Sequence, residues 1–286
     1  MIKHIINLIR VKHWIKNLLI FLPAFFGGVI NEYQNLLEIG IAFLFFSFAA
    51  SLVYIFNDIL DIENDRLHPE KRNRALASGV ISIKTAYLLI FIIISLLIGI
   101  SFLLPINVIL VTSIYLLINV FYSLGMKKVP ILELFIVAIG FVFRILIGGF
   151  AAEIEPSKWI VMLTFFGALY IVISKRRGEL INTKHGDGRD VLQHYSLEYL
   201  NLAMIILVAV SIMAYIMYTV EPAVIFRFTT DKIYLTSFVV IFILLRHLQQ
   251  TIIFNKTESP VEYFYKDKIN LMAVFIWLLT FYILIY

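Results

Sequence analysis

Residues 36–79 read LLEIGIAFLFFSFAASLVYIFNDILDIENDRLHPEKRNRALASG. From Leu36 to Asn57 the run carries one charge, Glu38, and is long enough to cross the roughly 30 Å hydrocarbon layer of a bilayer as a helix. The composition then turns acidic and, a few residues on, basic. Asp58, Asp61 and Asp65 stand at i, i+3 and i+7, which at 100° per residue keeps them within about 60° of one helical face; Glu63 points elsewhere. Like charges so spaced repel by a few tenths of a kcal/mol per pair, so the face calls for a cation. Mg2+ suits it, because this ion prefers hard oxygen ligands and commonly bridges carboxylates to phosphates. The plainer alternative, a solvated helix end with Asp58 at the headgroups, suits a lone aspartate better than three aligned ones beside Asn57. Lys71, Arg72 and Arg74 follow with donors that grip phosphate oxygens, so acid and base together describe a site for a diphosphate.

The rest of the chain agrees with a lipid setting. Of 286 residues, 61% are hydrophobic, 15% are charged and none is cysteine, with a mean hydropathy of +0.93. Soluble domains carry about 25% charged residues. The lack of cysteine excludes disulfides, thiolate metal sites and a cysteine nucleophile. Nine apolar runs can be drawn, at about 15–31, 36–57, 84–103, 106–125, 130–152, 159–174, 198–220, 233–248 and 269–286. An odd count places the termini on opposite sides. The basic start before the first run resembles a signal peptide, but no small-residue cleavage site follows, and Pro23, Gly27 and Gly28 suit a retained span.

Twenty of the 24 Lys and Arg fall on the side that holds the N-terminus; Lys158, Arg227 and Lys232 lie on the other, and Arg144 lies within the fifth run. The positive-inside rule makes the first side cytoplasmic. The same count removes nucleic acid as a partner, since the net charge of +5 is explained by topology. With no repeat or long linker, the chain reads as one all-α, polytopic membrane domain over residues 1–286.

Two further clusters stand out. In the fifth run Glu133 and Arg144 are about 20° apart in helical projection, with Gly140, Gly148 and Ala151 nearby. An arginine near mid-membrane is costly and is expected to face the protein interior or a wet cavity, while the small residues serve equally for close helix packing. After the sixth run come Lys175, Arg176, Arg177 and Glu179, then Arg189 to Tyr195; by itself this set reads as cytoplasmic positive charge with a local Arg176–Glu179 pair. Trp14 and Trp159 read as interface anchors, and the six histidines show no metal-ligand spacing.

The run Asn57-Asp58-x-x-Asp61-x-x-x-Asp65, placed after the second of nine spans, resembles position by position the signature of the UbiA-type membrane prenyltransferase superfamily. Its extension, Asp65-Arg66-x-His68-Pro69-x-Lys71-Arg72-x-Arg74 with Ala77-x-Gly79, is similar to the branch of decaprenyl-phosphate phosphoribosyltransferases. So are Lys12-x-Trp14-x-Lys16-Asn17, Arg144-x-x-x-Gly148-Gly149, Ser157-Lys158-Trp159, Lys175-Arg176 with Glu179-Leu180, Tyr195, and Pro260-Val261-Glu262 with Lys266-Asp267. Two departures are visible. Prenyl-diphosphate members usually carry a second aspartate-rich run after the sixth span, where this chain has only Asp187 and Asp190 amid Gly186 and Gly188; Ala75 replaces a frequent proline.

The resemblance implies about nine helices around a central cavity open to the cytoplasm, in the cytoplasmic membrane with the N-terminus inside. It implies transfer of 5-phosphoribosyl from 5-phosphoribosyl 1-diphosphate to a polyprenyl monophosphate, a cell-wall precursor step. The catalytic and metal set is Asp58, Asp61 and Asp65, with Mg2+. Candidates for the substrates are Lys16, Asn57, Arg66, Lys71, Arg72, Arg74, Tyr122, Glu133, Arg144, Lys175, Arg176 and Tyr195. The acceptor is already an anion and needs no general base, in keeping with the lack of a Ser–His–Asp pattern. The competing readings are an aromatic or quinone-precursor prenyltransferase and a lipid or ion transporter. Lipid chain length and homo-oligomer formation stay open.

Overall fold

The computed structural model describes residues 2–67, 71–182, 190–255 and 267–285. Among these residues the regular elements are all helical. They are α1 (Ile2–Leu8), a 3-10 stretch (Val11–Phe21), α2 (Leu22–Gly27), α3 (Tyr33–Leu60), α4 (Ile62–Leu67), α5 (Ile83–Ser101), α6 (Ile106–Leu124), α7 (Leu132–Ala151), α8 (Lys158–Asn182), α9 (Leu197–Thr219), α10 (Pro222–Phe228), α11 (Thr236–Ile252) and α12 (Lys268–Ile285). Among the described residues seven segments are long and apolar enough to cross a membrane: α3, α5, α6, α7, α8, α9 and Lys232–Ile252, which contains α11. The chain is a multi-pass membrane protein. The expected spans two to eight fall on these seven, the ninth on α12, and His68, Pro69, Gly186–Arg189, Pro260–Glu262 and Lys266 lie outside the described residues.

The expected first span differs from a simple helix. Residues 11–21 wind as a 3-10 helix before α2 begins; Pro23 has no N–H to give the Leu19 carbonyl, and that carbonyl instead accepts from Leu22 at the junction. Elsewhere the ends are conventional. Ser82 and Ser196 cap α5 and α9 by accepting the Thr85 and Tyr199 N–H groups at 3.1 Å, which satisfies donors that the first helical turn leaves open.

The chain divides into two units, residues 1–126 with 143–155, and residues 127–142 with 156–286. α7 therefore gives its first half to the second unit and its second half to the first. In the first unit α3 is central. Its alanines, Ala42, Ala49 and Ala50, are buried and let neighbours approach closely, as small residues do in membrane helices. Gly148 shows the tightest case: a Cβ there would overlap the carbonyl oxygen of Ile20. By contrast α5 and α6 turn Leu88, Phe91, Leu110 and Leu117 outward, which lipid accommodates.

In the second unit Leu134, Ala138, Leu169, Leu200 and Met204 form the core. α8 runs eight residues beyond the expected end of the sixth span because its arginines find partners inside. Arg177 donates to the Thr251 and Ile252 carbonyls at 2.8 and 3.2 Å and to Asn201 at 2.7 Å, closing the C-terminal end of α11, where a cation is favoured. Asp267 caps α12 and accepts two bonds from Arg246, at 2.7 and 3.2 Å. Burial pushes its carboxyl up, yet the Arg246 bonds and the Asn270 and Ile269 N–H groups outweigh that and hold it below the usual range.

Candidate active site

α3 stops at Leu60 because Asp61 leaves helical geometry, at φ −97° and ψ 6°. Its register is nevertheless kept, since Asp61 N–H donates to the Asn57 carbonyl at 3.0 Å and Asp65 N–H to the Asp61 carbonyl at 2.8 Å. The i, i+7 pair thus stays on one face. Asp58 and Asp65 are both buried and both accept from one guanidinium nitrogen: Arg74 Nη1 lies 3.3 Å from Asp58 Oδ1 and 2.6 Å from Asp65 Oδ2. Asp61 is half-buried and accepts from Asn57 Nδ2 at 3.0 Å.

A second arginine completes the cluster. Arg10 Nη2 lies 2.6 Å from the same Asp58 Oδ1, and its guanidinium sits over the Tyr54 ring, 4.7 Å from the centroid. Arg10 is the turn residue between α1 and the 3-10 stretch, in left-handed geometry (φ 53°, ψ 46°), a conformation uncommon for a non-glycine residue. The carboxylates are closed off, with Asp58 and Asp65 each 6% exposed at the side chain, while Arg10 and Arg74 keep 20% and 30% exposure. A pocket of about 380 Å³ opens beside them, lined among others by His4, Arg10, Lys12, His13, Asp58 and Arg74. That volume is in the range of small-ligand sites, and its lining is mostly cationic or titratable.

Among the sequence candidates, Asp58, Asp65 and Arg74 come together, whereas Asp61 of the expected trio pairs with Asn57 instead. Arg66 does not join them: it donates to Glu63 at 2.9 Å and to the Ala77 carbonyl at 3.3 Å. Lys71 is half-buried and Arg72 exposed on the short turn 71–73, and neither they nor Lys16 and Tyr122, both half-buried, line this pocket. Arg144 is interior, as its cost in lipid demands. It donates to Asn17 Oδ1 at 2.8 Å, and Asn17 donates in turn to Ser47 at 2.9 Å; the rings of Phe46 and Tyr115 flank its guanidinium at 4.8 and 6.0 Å. The residue that sequence reasoning passed over is Arg10, whose only signal was its place just before Lys12-x-Trp14-x-Lys16.

Glu133, Arg176 and Tyr195 belong to the second unit. Glu133 is fully buried and receives a two-pronged bond from Arg176, with both distances 2.7 Å, and Arg176 also reaches Glu179 at 2.8 Å. The expected local pair therefore exists within a larger lock. Tyr195 accepts the Ile131 N–H at 2.7 Å, which pins the turn before α7; burial pushes its hydroxyl above the usual value. Lys175 is exposed. Of the two aspartates after the sixth span, Asp187 lies outside the described residues and Asp190 pairs at 3.4 Å with Lys128.

Hard carboxylate oxygens on successive turns suit Mg2+, which often takes only one or two protein carboxylates and draws its remaining ligands from phosphates and water. Asp58 and Asp65, which share Arg74, offer two such carboxylates, while Asp61 pairs with Asn57. Among the described residues no group of three or more His, Asp or Glu is placed to hold a metal ion.

The sequence and the fold have known relatives. The profile of the UbiA prenyltransferase family matches residues 20–176, more than half of the sequence, and the chain belongs to that family. It is similar to decaprenyl-phosphate phosphoribosyltransferases: 34% identical to that of Corynebacterium glutamicum over 73% of this chain and 65% of that protein, and 33% identical to that of Mycobacterium tuberculosis over 76% and 74%. The match thus spans a little under two thirds of the Corynebacterium relative. In fold the chain resembles a UbiA homolog from Archaeoglobus fulgidus bound to DMAPP and Mg2+, with a TM-score of 0.71 and 18% identity over 98% of each chain.

Proposed function

We propose that this protein is a membrane-embedded transferase that moves 5-phosphoribosyl from 5-phosphoribosyl 1-diphosphate to a polyprenyl monophosphate. A phosphate oxygen of the lipid attacks C1 of the ribose, the bond from C1 to the diphosphate oxygen breaks, and diphosphate leaves with the electron pair. The observation that carries this reading is the paired Asp58 and Asp65 with Arg10 and Arg74 at a cationic pocket, in a chain whose relatives bear that activity's name.

Each residue has a task. Asp58, Asp61 and Asp65 would hold Mg2+, which would supply charge neutralisation for the departing diphosphate. Arg74 and Arg10 bind phosphate oxygens, Lys12 adds positive potential, and burial of the carboxylates keeps water from screening them. No proton has to move, since the acceptor oxygen is anionic and diphosphate is a stable anion. The domain acts as a whole in the cytoplasmic membrane, with this pocket on the cytoplasmic side; the lopsided distribution of Lys and Arg supports that orientation. The weak second aspartate run argues against a prenyl diphosphate donor.

The test supplies purified protein with Mg2+ and either labelled 5-phosphoribosyl 1-diphosphate plus polyprenyl phosphate, or labelled prenyl diphosphate plus an aromatic acid. Label entering the lipid fraction in the first mixture, and stopped by a chelator, is the expected result. Product only in the second mixture overturns it and installs the aromatic prenyltransferase.

A further inference from the structure

The carboxylates that suit a metal are held by arginines, and this points to a device. We propose that Arg10 and Arg74 are built-in counter-ions that exchange places with a metal–diphosphate ligand, so that Arg10 holds Asp58 until a phosphate group draws it away; the inference rests on the diphosphate reading above. A single oxygen, Asp58 Oδ1, takes both Arg10 at 2.6 Å and Arg74 at 3.3 Å. One-pronged bonds to a shared oxygen leave most of each guanidinium's donors outside the pair, and both guanidiniums are partly exposed beside the pocket. Buried carboxylates without a cation are costly, and Arg10 and Arg74 are the cations placed against Asp58 and Asp65 inside the fold.

Exchange keeps every charge matched. A divalent ion arriving alone has to compete with the arginines, and displacing them strands two guanidiniums near it. A diphosphate arriving alone meets cations already committed to Asp58 and Asp65. When both arrive together, the aspartates turn to the metal and the arginines turn to phosphate oxygens, to which a guanidinium donates two-pronged bonds. The two ligands therefore favour each other, as any pair does that shares one displaceable contact. The position of Arg10 suits such movement. It sits in a turn, in left-handed geometry, attached to a seven-residue helix, and the Tyr54 face offers it a resting place from which the pocket is adjacent.

The exchange gives an opposite sign to that of an ordinary binding residue. Calorimetry on the full chain in detergent compares wild type with Arg10→Gln, using Mg2+ alone and then Mg2+ with inorganic diphosphate. Expected is about tenfold tighter binding of Mg2+ alone in Arg10→Gln, because its competitor is gone, and about tenfold weaker binding of diphosphate at saturating Mg2+. Mg2+ affinity unchanged or reduced in the variant overturns the exchange, since a purely structural or purely phosphate-binding Arg10 gives that result. If Arg10→Gln is not monodisperse, Arg10→Lys takes its place, with the same signs required and smaller shifts. Neither titration needs the sugar or lipid, so the exchange can fail while phosphoribosyl transfer stands, and the reverse.

Discussion

Each unit of the molecule carries a buried-carboxylate–guanidinium cluster, around Asp58 in the first and Glu133 in the second, and these two differ in construction. In the second unit Glu133 and Arg176 meet through two bonds of 2.7 Å, are 0% and 3% exposed, and have Glu179 as a third member. The geometry is saturated. In the first unit Asp58 gives one oxygen to two arginines that remain partly exposed at a pocket. The same pair of functional groups is sealed and saturated in one unit and open on the arginine side, at a candidate binding pocket, in the other.

Substitutions can break this contrast. Asp58→Asn is expected to cut turnover about a thousandfold, comparable to removing a principal electrostatic contact from an active site, while thermal unfolding in detergent shifts little; activity within tenfold of wild type would remove Asp58 from the chemistry. Glu133→Ala should behave in the converse way, destabilising the protein by about 3–5 kcal/mol because Arg176 is left buried without its main partner. Its check is the loss of folded protein on heating, and an unchanged melting temperature would mean the lock is not what holds α7 to α8. Gly148→Ala should cost about 1–3 kcal/mol by overpacking, more if the Ile20 backbone cannot give, measured in the same way.

The smallest effect is acid sensitivity at the Arg246–Asp267 cap. The carboxyl of Asp267 lies below its ordinary value of 3.8, so its contribution is fully present above that value and fades as pH falls through the lower folded one. Asp267→Asn should therefore lower stability at neutral pH and flatten its decline below pH 4; equal acid slopes in variant and wild type would refute the assignment.

The spans were readable because lipid tolerates apolar residues on every side of a helix, so α3 and α5 to α9 stand out as uninterrupted runs. The first span was not, because an apolar run does not tell the 3-10 winding of residues 11–21 from an α-helix. The aspartate face was readable because its spacing is local, and α4 keeps the register across the break at Asp61. Arg10 was not. Its partner is 48 residues away, and the positive-inside rule offers the same explanation for every cation near the N-terminus. Glu133 and Arg144 share a helical face as expected, yet one meets Arg176 and the other Asn17, a separation that helical projection cannot supply.

The first unit is made of two pieces of chain, and that has a consequence for biosynthesis. When the ribosome has finished residue 126, the slot formed by Asn17, Phe46 and Tyr115 still lacks its occupant, because Arg144 has not been made. At about 5–20 residues per second, the nascent helices wait a second or more in the bilayer with that polar gap open. Completion of the amino-terminal bundle is thus tied to insertion of α7, which brings Arg144 to Asn17.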